Sequence, residues 1–189
     1  MAHRFDPTHV HRLDNPERRK SLPPEQLLEH LPINQMDDIL DIGAGTGYFT
    51  FPAAEKTSGT VFALDVEPKM LEILQQKLDD QSIHNVKLLQ GEIEHLPLED
   101  AKVDHVIASL VLHEVDPLEK GLSEIARVLK PGGHLFCLDW EKVESEQGPP
   151  LHHRIHSDDI KQAMKLQGFE LIQQAAPTPA HYLLIARKE

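Results

Sequence analysis

Apolar runs of five to seven residues recur along the chain at 38–42, 60–65, 86–90, 103–109 and 134–140. They are rich in Val, Ile and Leu and predict strands. Between them the apolar positions change to a helical period. Phe49, Ala53 and Ala54 give one short face, stopped by Thr57-Ser58-Gly59. Met70, Leu71, Leu74 and Leu78 follow Glu67-Pro68 at a spacing of about 3.6 residues. Leu122, Ile125, Ala126 and Leu129 follow Asp116-Pro117-Leu118-Glu119, which has the form of a capping box with proline at the first helical position, and Lys130-Pro131-Gly132-Gly133 ends that helix. A last helix is expected over Asp158 to Leu166, stopped by Gly168. Strands over 169–173 and 181–187 are joined only through Pro177-Thr178-Pro179. A parallel pair needs a crossover of a dozen or more residues, so these two must be antiparallel.

Two stretches carry no sustained period. Residues 1–20 read as an arm, after which Ser21-Leu22-Pro23-Pro24-Glu25 opens a helix with Leu27, Leu28 and Leu31 as its apolar stripe. The segment from Glu141 to His156 holds Gly148-Pro149-Pro150 and three histidines, and reads as an excursion over the carboxyl edge of the sheet, where open α/β folds keep their ligands.

Candidate chemistry centres on the first strand. Asp41-Ile42-Gly43-Ala44-Gly45-Thr46-Gly47 runs from strand into glycine turn and then into a helical pattern. Glycines accept positive φ without steric cost and let a ligand approach backbone N–H groups. A phosphate-cradling P-loop would follow with Lys and Ser or Thr, whereas Tyr48 and Phe49 follow here. A dinucleotide fingerprint places its third glycine three after the second, and that position is Tyr48. The carboxylate of Asp41 in front of the turn suits a ligand with a positive group there and not a pyrophosphate. A second acid, Asp65, ends the second strand 20 residues beyond Gly45, the place from which a carboxylate accepts ribose hydroxyls.

Taken together, Asp41 to Gly47 resembles motif I of the class I S-adenosylmethionine-dependent methyltransferases. Two further segments are similar to that family: Gly91-Glu92-Ile93-Glu94-His95-Leu96-Pro97-Leu98 after the third strand, and Leu129-Lys130-Pro131-Gly132-Gly133 before the fifth. The likeness runs from about residue 36 to the end and is nearest the small-molecule branch typified by ubiquinone and menaquinone biosynthesis methyltransferases. It implies a Rossmann-like three-layer α/β sandwich whose seven-stranded sheet has the order 3-2-1-4-5-7-6, strand 7 antiparallel. The whole chain, 1–189, would be one domain, with an arm and helix over 1–35 covering the site of a core over 36–189. The implied cofactor is S-adenosylmethionine, leaving as S-adenosylhomocysteine. Asp41, Gly43, Ala44, Gly45 and Gly47 would face its methionine end. Asp65 would hold the ribose, Glu92 and Ile93 the adenine, and Val66, Met70 and Ser109 would also contact the cofactor.

Composition narrows the partner. A net charge of -12 disfavours nucleic acid, whose binding rests on Lys and Arg displacing counterions. One cysteine, Cys137, allows no intrachain disulfide and no cysteine metal cluster. No run approaches the roughly 18 apolar residues of a membrane span and no apolar leader opens the chain, so a cytoplasmic setting without a membrane partner is expected. A small-molecule acceptor remains. His113, four residues past the fourth strand, is the candidate general base, with Glu114 beside it; packing against the cofactor or capping a helix is its competing role. Trp140, His152, His153 and Arg154 are candidates for acceptor contact. His9 and His11, or His152, His153 and His156, invite a metal, but two prolines precede the second group and no glutamate motif accompanies it, so no metal is expected. Two rivals share the glycine turn: a nicotinamide-dependent oxidoreductase, which would need a substrate domain, and a non-catalytic adenosine-binding protein.

Overall fold

The computed structural model describes residues 15–189; most of the expected arm falls on residues 1–14, outside them. Seven strands form a single sheet: β1 (Ile39–Ile42), β2 (Val61–Asp65), β3 (Val86–Gln90), β4 (Val103–Ser109), β5 (Leu129–Trp140), β6 (Phe169–Thr178) and β7 (His181–Lys188). Their order is β3-β2-β1-β4-β5-β7-β6. The first five run parallel, and β7 is antiparallel to both β5 and β6, as the resemblance implies.

Neighbouring residues on each central strand serve opposite faces, the period of two that any pleated strand imposes. Leu40, Val106, Cys137 and Leu184 pack under Leu122 and Ile125 of helix α5 (Leu118–Val128) and Ile160 and Met164 of helix α6 (Ser157–Leu166). Ile39, Ile107, Phe136 and Leu183 face the other way, onto Leu27 of the short helix α2 (Pro24–Leu27) and Ala53 of α3 (Thr50–Lys56). Leu74 and Leu78 of α4 (Pro68–Asp80) meet Ala63 on β2. Both faces are therefore covered, which is why the strands read as continuous apolar runs.

The structure departs from the sequence reading at four boundaries. Helix α1 occupies Pro16–Ser21, within the expected arm. Asn15 Oδ1 accepts the Arg18 N–H at 2.8 Å, and Pro16 supplies a preset first φ, but six residues are too few to show an apolar period. Strand β5 begins at Leu129 rather than His134: Val103 pairs with Leu129 and His105 with His134, so Lys130–Gly133 is accommodated as an irregularity in the strand. Helix α5 starts at Leu118 without a side-chain cap, so Asp116 does not close the expected capping box. Strand β6 runs on to Thr178, which leaves Pro179 and Ala180 as the turn into β7.

Candidate active site

A cleft of about 1240 Å³ lies along the carboxyl ends of β1, β2, β4 and β5. The glycine turn forms one end. Gly43, Gly45 and Gly47 all have φ in the left-handed region, at 68°, 54° and 97°. Gly47 owes its identity to packing, since an added Cβ would meet the Phe51 ring and lie 2.8 Å from Leu74 Cδ1. It is not among the residues lining the cleft, unlike Gly43, Ala44 and Gly45. The missing side chain of Gly47 lets Phe51 of α3 and Leu74 of α4 close behind the turn.

Both strand-end acids line the cleft. Asp65 Oδ2 accepts the Gly45 N–H at 2.8 Å and Oδ1 accepts the Glu67 N–H at 2.9 Å, so the carboxylate fixes the turn while each oxygen retains a lone pair. Burial pushes its pKa up, against the backbone hydrogen bonds from Glu67, Gly45 and Val66. Asp41 is 2% exposed and accepts the Thr50 hydroxyl at 2.6 Å. Burial, with Asp65 nearby, pushes its pKa up to about 7 despite the Thr50 bond and the Arg18 charge. A buried carboxylate with that cost of ionisation fits a cationic ligand group.

Val66, Met70, Ile93 and Ser109 also line the cleft, with Ser109 Oγ buried and without a hydrogen-bond partner among the described residues. Glu92 does not. Its side chain is exposed, because its backbone pairs with His95 in a short antiparallel bridge that places Ile93 and Glu94 on the cleft instead. Helix α1, missed in the sequence, closes this end. Arg18 lines the cleft with its guanidinium 3.9 Å from the Tyr48 ring centre, and the Tyr48 hydroxyl donates to Leu22 O at 2.8 Å.

The opposite end is built around His113, on a short 3-10 turn (Leu112–Glu114) after β4. Its Nδ1 stands 2.6 Å from Asp139 Oδ1, and its backbone N–H donates to Asp139 Oδ2 at 3.1 Å. Asp139 is 1% exposed and also accepts the Trp140 N–H at 2.8 Å. A carboxylate can only accept, so in the neutral ring the proton is fixed on Nδ1 and Nε2 carries the lone pair. Burial opposes protonation of His113, but the Asp139 and Glu114 charges outweigh it and raise its pKa. Asp139 has no signal in sequence beyond being the acid near the end of β5.

Trp140, His152 and His153 line the cleft; Arg154 does not. Arg154 is 4% exposed and spends its donors on the loop: Nε on Pro149 O, Nη1 on Val143 O and Ser145 Oγ, and Nη2 on Gln147 O, all at 2.7–2.8 Å. In this structure Arg154 clamps the 143–150 loop. His156 caps α6 by accepting the Asp158 N–H. Among the described residues no three His, Cys, Asp or Glu side chains converge on a metal-sized site, and no helix is long and apolar enough to cross a membrane. His9 and His11 lie outside the described residues.

This sheet order, with a glycine turn after β1 and an acid ending β2, is that of the class I S-adenosylmethionine-dependent methyltransferase fold. Residues 40–137 match the methyltransferase domain family, and the chain belongs to it. Among curated proteins it is 40% identical over 103 residues to a demethylmenaquinone methyltransferase of Lactococcus lactis, covering 53% of this chain and 41% of that one. It is 39% identical over 111 residues to the ubiquinone/menaquinone biosynthesis C-methyltransferase UbiE of a Marinomonas species, covering 57% and 44%. The chain thus spans less than half the length of these two relatives. A solved SAM-dependent methyltransferase from Aquifex aeolicus superposes over 98% of this chain and 100% of its own, at a TM-score of 0.91 and 26% identity.

Proposed function

We propose that this protein transfers a methyl group from S-adenosylmethionine to a small hydroxylated acceptor, with His113 as general base. The observation that carries the reading is the continuity of one cleft, from the glycine turn and Asp65 at one end to the His113–Asp139 pair at the other. Asp41 and the turn from Gly43 to Gly45 suit the cationic methionine end, Asp65 the ribose, and Ile93 with Met70 the adenine face. Ser109 Oγ supplies a free hydrogen-bonding group beside them.

When bound, the cofactor supplies an electrophilic methyl carbon and a thioether leaving group. His113 Nε2 would take the proton that the acceptor gives up on accepting that methyl group. Asp139 keeps the ring in the required tautomer and stabilises the imidazolium that results. Alignment within a cleft closed by α1 and the 143–150 loop contributes the rest. Support for a small acceptor comes from the acidic net charge and the quinone-pathway names of the relatives, so hydroxylated rings are the first acceptors to test.

Calorimetric titration with S-adenosylhomocysteine, with NAD as comparison and Asp65→Ala as control, tests the reading. The expected result is micromolar binding of the homocysteine product, lost in the variant and absent for NAD. Tighter binding of NAD, or none of the product, would overturn it.

A further inference from the structure

His181 belongs to no role assigned so far. It is 8% exposed, opens β7 opposite Trp140 in the β5–β7 ladder, and lines the same cleft as His113. Its ring is held on two sides, by the Trp140 ring 4.0 Å away between centroids and by Thr178 Oγ1 2.7 Å from Nδ1. The Glu141 N–H, donating to Ala180 O at 2.9 Å, ties the preceding turn to the end of β5. The Thr178 hydroxyl accepts the Ala180 N–H at 3.2 Å and keeps its own proton to turn towards Nδ1. In that arrangement the ring proton sits on Nε2, which is buried and has no hydrogen-bond partner among the described residues. A buried donor left unpaired is costly, and such an atom on a cleft wall marks a place where a ligand atom completes the bond.

We propose that His181 is a specificity-determining residue that donates its Nε2–H to an oxygen of the methyl-accepting molecule. This rests on the methyl-transfer reading and deepens it by dividing the work between two histidines. His113 exchanges a proton with the acceptor; His181 holds a neighbouring oxygen and exchanges none. The electrostatics agree with that division. Burial, helped by the Arg18 and Arg154 charges and opposed by Asp139, pushes the His181 pKa down to about 4, so the ring stays neutral where methyl transfer would operate. A neutral imidazole is the weaker acid of the two ring forms, and it polarises an oxygen without surrendering its proton. The acceptor class this selects is a ring bearing at least two oxygens, one deprotonated by His113 and one bonded by His181. A hydrocarbon of the same outline would leave Nε2 unpaired and be rejected.

The test uses the full chain, ring-labelled with nitrogen-15 at histidine and saturated with S-adenosylhomocysteine. Long-range nitrogen–proton spectra between pH 5.5 and 8 are expected to find His181 neutral with its proton on Nε2 throughout. Adding 1,4-dihydroxynaphthalene should move the His181 Nε2–H resonance downfield and slow its exchange, whereas 1,4-dimethylnaphthalene should not. His181→Phe, which keeps a ring against Trp140, should weaken dihydroxynaphthalene binding about tenfold, the loss of one neutral hydrogen bond. His181→Gln, which keeps a donor, should recover most of it. A His181 that titrates within this range, carries its proton on Nδ1, or does not respond to the diol overturns the inference, and so does a His181→Phe variant that binds the diol like the parent. The spectra of the unaltered protein decide even if a variant does not fold. Failure of the methyl-transfer reading would differ, because the unaltered protein would not bind S-adenosylhomocysteine at all.

Discussion

The two ends of the cleft are built by different means. At the glycine-turn end, Asp41, Gly43, Gly45 and Asp65 lie within 25 residues of one another, on β1, its turn and β2. At the other end, His113 takes its partner from 26 residues away and Trp140 stacks on a histidine that opens β7. The first end is held by local backbone geometry, with a carboxylate bonded into the turn it follows. The second exists only once β5 lies between β4 and β7. The comparison implies that the cofactor end can be altered with little effect on the acceptor chemistry, and the converse.

The sharpest break comes from Asp139→Asn. An amide can present its oxygen or its NH2 to Nδ1, so the tautomer that leaves Nε2 basic is no longer enforced. With an acceptor identified by a phenolic panel, kcat should fall about a thousandfold, while the Kd for S-adenosylhomocysteine stays within a factor of two to three or so. The His113 pKa, followed by NMR, should fall as well, since the Asp139 charge and hydrogen bond are among the causes that raise it. In the parent protein the same shift has a visible sign. Activity needs neutral His113, so it should rise with pH through a value above that of an ordinary histidine. Equal losses in turnover and product affinity would break the separation of the two ends.

Asp65→Ala is the mirror experiment. It removes the group assigned to the ribose and releases the Gly45 and Glu67 N–H groups. Loss of two hydrogen bonds to a charged acceptor predicts weakening of product binding by about a hundredfold or more, read by calorimetry. The His113 titration should be unmoved. A shifted His113 pKa would mean that the ends communicate through the sheet.

What could be read in the sequence follows the same division. The turn and its acids lie in one short stretch and advertise themselves by residue type, as do the apolar runs of a sheet buried on both faces. His113 could be singled out, but Asp139 and His181 could not: each depends on register between strands far apart in sequence, and neither a lone acid near a strand end nor a lone histidine in a β-strand carries a distinguishing pattern. Arg154 misled for a related reason. A charged residue in an unpatterned loop reads as a surface contact, and only the fold reveals that four of its five N–H groups bond to loop acceptors. Helix α1 was hidden by its length.

A smaller and graded effect is expected from pH at the cofactor end. Asp41 holds its proton up to about 7 when the cleft has no cationic guest. Binding a cation requires the carboxylate, so product affinity should fall by up to about tenfold for each pH unit below 7 and level off above it. The sign for stability is opposite. The folded protein keeps a proton that the unfolded chain releases near 3.8, so the unbound protein gains stability as pH falls from 7 towards 4 through this group. Asp41→Asn should therefore raise the thermal midpoint of the unbound protein at pH 8, with an upper limit on the order of 4 kcal/mol, while abolishing the pH dependence of binding. An affinity for product that is flat between pH 6 and 8 in the parent would remove Asp41 from the cationic end.

Glu92→Gln carries the least expected effect and tests the cofactor end most finely. Family resemblance assigns this acid to the adenine, yet its side chain is exposed while Ile93 and Glu94 line the cleft. Exposed polar contacts contribute within about 0.5 kcal/mol, so the variant should bind S-adenosylhomocysteine within about threefold of the parent by calorimetry. Ile93→Ala, which removes buried apolar surface from the cleft wall, should cost more than Glu92→Gln does. A loss above tenfold in Glu92→Gln would mean that the 92–95 bridge rearranges when adenine arrives. The cofactor end would then share with the acceptor end a geometry completed only by its ligand.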